Sequence, residues 1–227
     1  PRLNSSAASD VYKRQAYSTR AVVVAPVVWS GLSEHHMPFG GTLTLSHDTF
    51  RRVVRDLIEA IIRQGFKDIL ISNSHGGNII AMQQILDELA PTSKATLVAT
   101  TYDVEAGEDL SRHLEDQSGV LHAGEAETSM MLVCEPDLVD TSDLTKLASL
   151  EGDKHFLSVG QNSYRWRPFA HMAENGLAGN PARSNVVKGE NMLEAGAKAL
   201  ANLIIDPETW AAPKDLRLAK IGGVPLR

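Results

Sequence analysis

The chain of 227 residues is 43% hydrophobic and 22% charged, so it carries enough apolar material for one domain with a sizeable core. Its formal net charge of -6 and the lack of a Lys/Arg cluster interleaved with aromatic residues argue against a nucleic-acid partner. Its single cysteine, Cys134, excludes an intrachain disulfide framework, and no apolar stretch approaches the roughly 20 residues of a membrane span. We therefore expect a soluble, cytoplasmic protein with neither a nucleic-acid nor a membrane partner.

The N-terminal part contains a polar tail, a predicted strand and a polar loop. Residues 1–15 are rich in Ser and Ala and show no periodicity, so we expect a disordered or foreign tail ahead of one domain over residues 16–227. Residues 21–29 (AVVVAPVVW) are typical of a strand, and the loop that follows them over residues 30–46 contains Glu34 and His36.

The middle of the chain alternates between predicted helices and strands. Apolar residues over 53–62 recur on one helical stripe, and Gly65 stands where a C-terminal cap belongs. Short apolar, β-branched runs predict strands at residues 68–72 and 95–101, with a helix from about 78 to 90 between them. This alternation predicts parallel strands with right-handed crossovers, and further helices are expected near residues 104–114 and 186–205.

A histidine stands on the glycine-rich turn of residues 73–78 (NSHGGN). His75 follows a predicted buried strand, and open α/β sheets bind their ligands beyond the carboxyl ends of their strands. Taken alone, a structural or solvated histidine explains this position equally well.

A second group of polar residues precedes the apolar segment 130–133. His122 and Glu127 are five positions apart, which is about 140° around a helix, so they converge only if His122 precedes the helix and Glu127 lies in its first turn. A loop histidine followed by N-terminal helix acids is the simpler interpretation of these residues alone. Together with His75 they form a plausible set of zinc or manganese ligands.

Four segments of the chain resemble the creatininase (creatinine amidohydrolase) family. They are residues 31–42 (GLSEHHMPFGGT), 73–78 (NSHGGN), 122–129 (HAGEAETS) and, more loosely, 176–190. The resemblance implies a three-layer α/β/α fold with a central, mainly parallel sheet. It also implies a site for two metal ions, Zn or Mn with Fe as an alternative, and hydrolysis of a cyclic amide or another small C–N bond. Family members often assemble into hexamers, so a homo-oligomer that acts on a small molecule is expected.

The resemblance also assigns individual residues. His75 and Glu127 match metal ligands, and His122 matches a histidine assigned to catalysis. Tyr102 falls about where the family has an aromatic residue near the substrate, and Glu34 and His36 are expected to line the pocket. Creatininase itself has a ligand glutamate two residues after the first histidine; Gly77 stands there in this chain, which puts creatinine in doubt as the substrate.

The family's remaining ligands, a Glu-x-His pair and a bridging Asp, should precede residue 21, and residues 1–20 do not supply them. We therefore expect an N-terminally truncated chain that binds metal weakly. One alternative is a fragment or a non-catalytic binding or structural subunit. A serine or cysteine hydrolase is poorly supported, because Ser74 lacks a nucleophile elbow and Cys134 lies in an apolar run.

Overall fold

The computed structural model describes residues 21–147, 164–217 and 223, and the expected tail over residues 1–15 lies outside the described residues. The sheet of the described part consists of β1 (Asp68–Asn73) and β2 (Thr96–Thr101), which run parallel. The helix α2 (Ile79–Leu89) makes the crossover between them. This confirms the predicted β-α-β unit and its parallel pairing.

One core lies between the sheet and the helices beside it. The first helix, α1 (His47–Arg63), begins after Ser46, whose hydroxyl accepts a hydrogen bond from the Thr49 N–H, and it is followed by Gly65 at φ 96°. A side chain at that φ is strained, which explains the glycine past the helix end. The apolar stripe of α1 packs against β1 and α2, and the buried members of this core are Leu32, Phe50, Ile58, Ile69, Ala81, Met82, Ile85 and Leu89.

A second core is formed by three helices that follow β2. They are α3 (Tyr102–Ser111), α4 (Glu125–Cys134) and α5 (Val186–Ile205), and the last has the bounds that the sequence predicts. The helices α4 and α5 approach closely where Gly189 faces Ser129. A Cβ at position 189 would lie 2.1 Å from the Ser129 carbonyl oxygen, so this approach requires a glycine. Leu114 and Val120, which lie in the segment before α4, pack against this core, so burial of apolar side chains holds that segment beside the three helices.

The strand predicted over residues 21–29 is not formed. This segment follows an irregular path, and Val23 and Trp29 are 75% and 63% exposed. Pro26 has no N–H to donate to a ladder, so it interrupts the apolar run that indicated a strand. No helix of the described residues is both long enough and apolar enough to cross a bilayer.

Candidate functional site

The carboxyl ends of β1 and β2 bring two polar side chains to one edge of the sheet. Asn73 pairs with Thr101 at the end of the ladder, so His75 and Asp103 each follow their strand by two residues. Parallel strands end at the same edge, which is where open α/β sheets bind ligands. His75 is a predicted site residue, whereas Asp103 was not predicted, although it follows the predicted strand before it just as His75 does.

Two asparagines hold the turn of residues 73–78 in place. The buried Asn73 amide donates to the His75 carbonyl oxygen at 2.8 Å and to Thr101 Oγ1 at 3.1 Å, and its oxygen accepts from the His75 N–H at 3.2 Å. Asn78 donates to Asn73 Oδ1 at 3.2 Å and accepts from the Leu32 N–H at 2.9 Å. The polar residues of this turn therefore attach the loop of residues 30–46 to the end of β1.

His75 is fixed by this same loop. Its Nε2 lies 2.9 Å from the Leu32 carbonyl oxygen and 3.3 Å from Ser33 Oγ. A carbonyl oxygen can only accept, so Nε2 carries the proton and the lone pair is on Nδ1. A histidine that donates one ring N–H to a backbone carbonyl has the arrangement typical of metal-binding histidines.

Four imidazole rings pack together beside the strand ends: His35, His36, His75 and His122, here called the histidine cluster. His36 stacks on His122 with ring centroids 4.1 Å apart, and the His35 and His75 rings are parallel at 5.6 Å. The buried Phe169 meets both His36 and His122 edge-on at 4.9 Å. The loop and the segment before α4 therefore meet at one site, closed on one side by an aromatic ring.

The histidine cluster is uncharged at neutral pH. Burial, followed by repulsion from the neighbouring histidines, lowers the pKa of His35 from 6.5 to about 4 and that of His36 to about 3. Burial also lowers the pKa values of His75 and His122. Neutral imidazole is the form that binds metal ions and the form that accepts a proton in catalysis.

Three members of the cluster could hold a metal ion together. One ring nitrogen from each of His35, His36 and His75 lies within 4.8 Å of the other two. Glu127 is not a member of this group in the part of the chain that the structure describes, so the expected pairing of His75 with Glu127 as ligands remains a prediction. The donor chemistry fits a divalent transition metal, because imidazole nitrogen is a common ligand of zinc.

His122 and Glu127 have the arrangement that their spacing requires. His122 precedes α4 and pairs with Ala178 in a short antiparallel bridge, while Glu127 lies in the first turn of the helix. The Glu127 carboxylate accepts from the Ala123 N–H at 2.6 Å, and its Oε2 is 3.8 Å from His122 Nδ1. This contact exceeds hydrogen-bond length, and the lowered pKa of His122 keeps it from being an ion pair at neutral pH.

Two half-buried carboxyl groups face this region. Burial raises the pKa of Glu127. This effect outweighs the hydrogen bond from the Ala123 N–H and the interaction with His75, which both lower that pKa. Burial also raises the pKa of Asp103, and the negative charges of Asp103 and Glu127 interact unfavourably. Carboxyl groups with raised pKa values are common at sites that bind a cation or transfer protons.

The remaining predicted pocket residues lie in different surroundings. His36 belongs to the histidine cluster, whereas Glu34 begins the same short helical turn with an exposed side chain. Tyr102 is buried in the second core, its ring packs against Gly196, and its hydroxyl donates to Met130 Sδ at 3.7 Å. The predicted roles of Glu34 and Tyr102 in the pocket remain predictions.

Comparison with known structures identifies the same fold elsewhere. The chain is 20% identical to a protein from Bacteroides fragilis whose assignment as a creatinine amidohydrolase is provisional, with a TM-score of 0.68 over 93% of this chain and 81% of that one. A mutant creatininase of "Zn-Zn type" is 23% identical, with a TM-score of 0.62 over 89% and 80%. A creatininase described as "Mn" is also 23% identical, with a TM-score of 0.64 over 89% and 80%.

These likenesses show an α/β fold of the creatininase kind. By sequence, no curated protein matches the chain. The family model Creatininase, described as creatinine amidohydrolase, matches residues 5–204, which is most of the chain. The protein therefore belongs to the creatininase family.

Proposed function

We propose that the protein is a metal-dependent hydrolase of a small amide, cyclic or open, that cleaves a C–N bond. The observation that carries the proposal is the meeting of uncharged imidazoles with the Glu127 carboxylate beside the strand ends. Family membership and the zinc and manganese forms of the similar creatininases support a hydrolase of this class.

We propose Zn or Mn as the metal, with Fe as the third candidate, held by His75 with Glu127 close by. The proton on His75 Nε2 is directed to the Leu32 carbonyl, which leaves Nδ1 as the donor atom. A bound divalent ion supplies Lewis-acid polarisation of the substrate carbonyl and lowers the pKa of a coordinated water. The Glu127 charge, oriented by the Ala123 N–H, would add one negative donor to neutral imidazoles.

We assign proton transfer to His122. Its neutral ring can accept a proton from the water that attacks the amide carbonyl carbon, and the Glu127 carboxylate 3.8 Å away would stabilise the imidazolium that results. Donation of that proton to the leaving nitrogen then completes the cleavage. His36 stacks on His122 and would limit how the ring turns, and Phe169 shields both rings from water on one side.

Metal content and amide hydrolysis together test this proposal. The chain, equilibrated with Zn²⁺ or Mn²⁺ at a concentration that saturates a weak site, should bind a divalent ion measurable by elemental analysis and should hydrolyse small cyclic amides in a metal-dependent way. His75→Ala should lower the metal content, whereas His47→Ala, which removes an exposed histidine of α1, should not. Metal binding without turnover on any amide would favour a non-catalytic binding subunit, and absence of metal would contradict the metallohydrolase assignment.

The state of assembly is a separate proposal. We propose a homo-oligomer, with a small-molecule substrate and no nucleic-acid or membrane partner, in the cytoplasm. The mass in solution, measured by light scattering, tests the assembly, and a monomer at micromolar concentration would contradict it.

A further inference from the structure

Position 77 has no room for a side chain. A Cβ added to Gly77 would lie 2.4 Å from the Leu32 carbonyl oxygen, 2.6 Å from His75 Nε2 and 2.9 Å from His35 Cε1. The first of these neighbours is backbone, so it cannot move aside without shifting the loop. The space beside His75 that a side chain at position 77 would enter is therefore occupied by the loop that carries His35.

The backbone fixes the loop in this place. The Leu32 N–H donates to Asn78 Oδ1 at 2.9 Å, the Ser33 N–H donates to Thr44 Oγ1 at 2.9 Å, and the Leu45 N–H donates to the Gly31 carbonyl at 2.8 Å. A Cβ at Gly31 would lie 2.6 Å from Asn78 Oδ1, so a glycine is also needed for this approach. The short helical turn Glu34–His36 follows directly and presents two adjacent imidazoles towards His75.

We propose that His35, with His36 and His75, forms an all-imidazole metal site, and that His35 provides the donor that Gly77 cannot. Three ring nitrogens lie within 4.8 Å of one another, and side-chain rotations that bring them closer together would let them share one ion at the Zn–N distance of about 2.1 Å. This proposal rests on the proposed metal-dependent function and names a donor set for its metal that includes two residues of the loop.

The donor set also selects the metal. Imidazole nitrogen suits zinc, copper and nickel, whereas manganese prefers carboxylate and water oxygen. The three histidines contribute no negative charge to offset the ion, so affinity depends on the strength of the metal–nitrogen bonds. The site should therefore bind Zn²⁺ much more tightly than Mn²⁺, which is also the direction of the general affinity order for divalent ions.

The test measures metal affinity directly and does not depend on turnover. The full chain, stripped with a chelator, is titrated with Zn²⁺ and separately with Mn²⁺ in competition with a chromophoric chelator. His35→Ala should weaken Zn²⁺ binding by at least ~10-fold, the lower end of the loss caused by removing even an outer partner of a ligand. His35→Asp should raise the affinity for Mn²⁺ relative to Zn²⁺, because it replaces nitrogen with oxygen. His47→Ala is the matched control, and the thermal unfolding midpoint of each variant reports folding.

Cobalt provides a second readout of the donor set. Co²⁺ bound by the wild type should show visible absorption of a low-coordinate, nitrogen-rich site, and His35→Ala should change that spectrum while His47→Ala leaves it unaltered. If His35→Ala leaves both the Zn²⁺ affinity and the spectrum unchanged while His75→Ala weakens binding, the role of His35 is wrong and the proposed function stands. If Zn²⁺ binding depends on His35 but no amide is hydrolysed, the site is supported and the proposed function fails.

Discussion

The Glu125 carboxylate and the Lys188 ammonium form an ion pair between α4 and α5, with Nζ 2.5 Å from Oε1. Glu125 is completely buried, and its carboxylate also accepts from the backbone N–H groups of Glu115 and Asp116. The buried Glu125 charge is therefore compensated by Lys188 and by the two backbone N–H groups. Glu125 therefore holds the chain before α4 to α5, and Glu127, two residues later, is left free to face the histidine cluster.

Removal of this carboxylate should destabilise the fold. Glu125→Ala removes the buried acceptor of two backbone N–H groups and one of the two carboxylate partners of Lys188, which keeps its ion pair with Glu115. Each N–H group left without an acceptor costs about 1–3 kcal/mol. Urea unfolding followed by circular dichroism measures the loss. Glu190→Ala removes an exposed acid from α5 and should change the free energy of unfolding little. Equal effects of the two variants would contradict the structural role of Glu125.

The amide of Asn73 should matter both for stability and for the position of His75. Asn73→Ala removes an acceptor for the His75 N–H and a donor to Thr101 Oγ1, and each unsatisfied buried group costs about 1–3 kcal/mol. We expect a lower free energy of unfolding and, since His75 loses its backbone support, weaker Zn²⁺ binding. The exposed Asn191→Ala on α5 is the control. Zn²⁺ affinity equal to that of the wild type would show that the Leu32 carbonyl orients His75 without the amide.

The histidine cluster should make the metal-free fold sensitive to acid. The pKa of His35 falls from 6.5 to about 4 on folding and that of His36 to about 3, so between these values the unfolded chain binds more protons than the folded one. Stability is therefore full above pH 6.5 and declines as the pH falls through this window. Urea unfolding in a chelator at pH 7.5 and pH 5 measures the decline, which His36→Asn should reduce. If the stability of His36→Asn falls as steeply between pH 7.5 and pH 5 as that of the wild type, His36 is not a source of the acid sensitivity.

Local sequence patterns predicted the elements that depend on local forces. Periodicity and capping predict the apolar stripe of α1, the bounds of α5 and the parallel strands. The rotation of about 100° per helical residue predicts that His122 precedes α4 and that Glu127 lies in its first turn. The prediction of a strand over residues 21–29 was wrong, because an apolar run with Pro26 inside it cannot form a continuous ladder of hydrogen bonds.

The parts of the site that sequence reasoning missed depend on contacts between distant segments. His35 reaches His75 only because Asn78 binds the Leu32 N–H, 46 residues away in sequence, and because Gly77 leaves room for the loop. The burial of Glu125 depends in the same way on Lys188, which is 63 residues further along the chain. No periodicity in either segment indicates such pairs.

Substitution of His122 should impair proton transfer without impairing metal binding. It lies outside the group formed by His35, His36 and His75, so His122→Ala should leave the Zn²⁺ content near that of the wild type. Loss of a general acid or base should lower the turnover of an amide substrate by ~10²-fold or more.

Two comparisons sharpen this last test. His122→Gln keeps hydrogen-bonding capacity and part of the packing against His36 but cannot shuttle a proton, so it should be as slow as His122→Ala while unfolding nearer to the wild-type temperature. His113→Ala removes a histidine that lies outside the cluster and should retain turnover. A loss of Zn²⁺ in the His122 variants equal to that in His75→Ala would make His122 a ligand, and normal turnover of His122→Gln would exclude it as the group that transfers the proton.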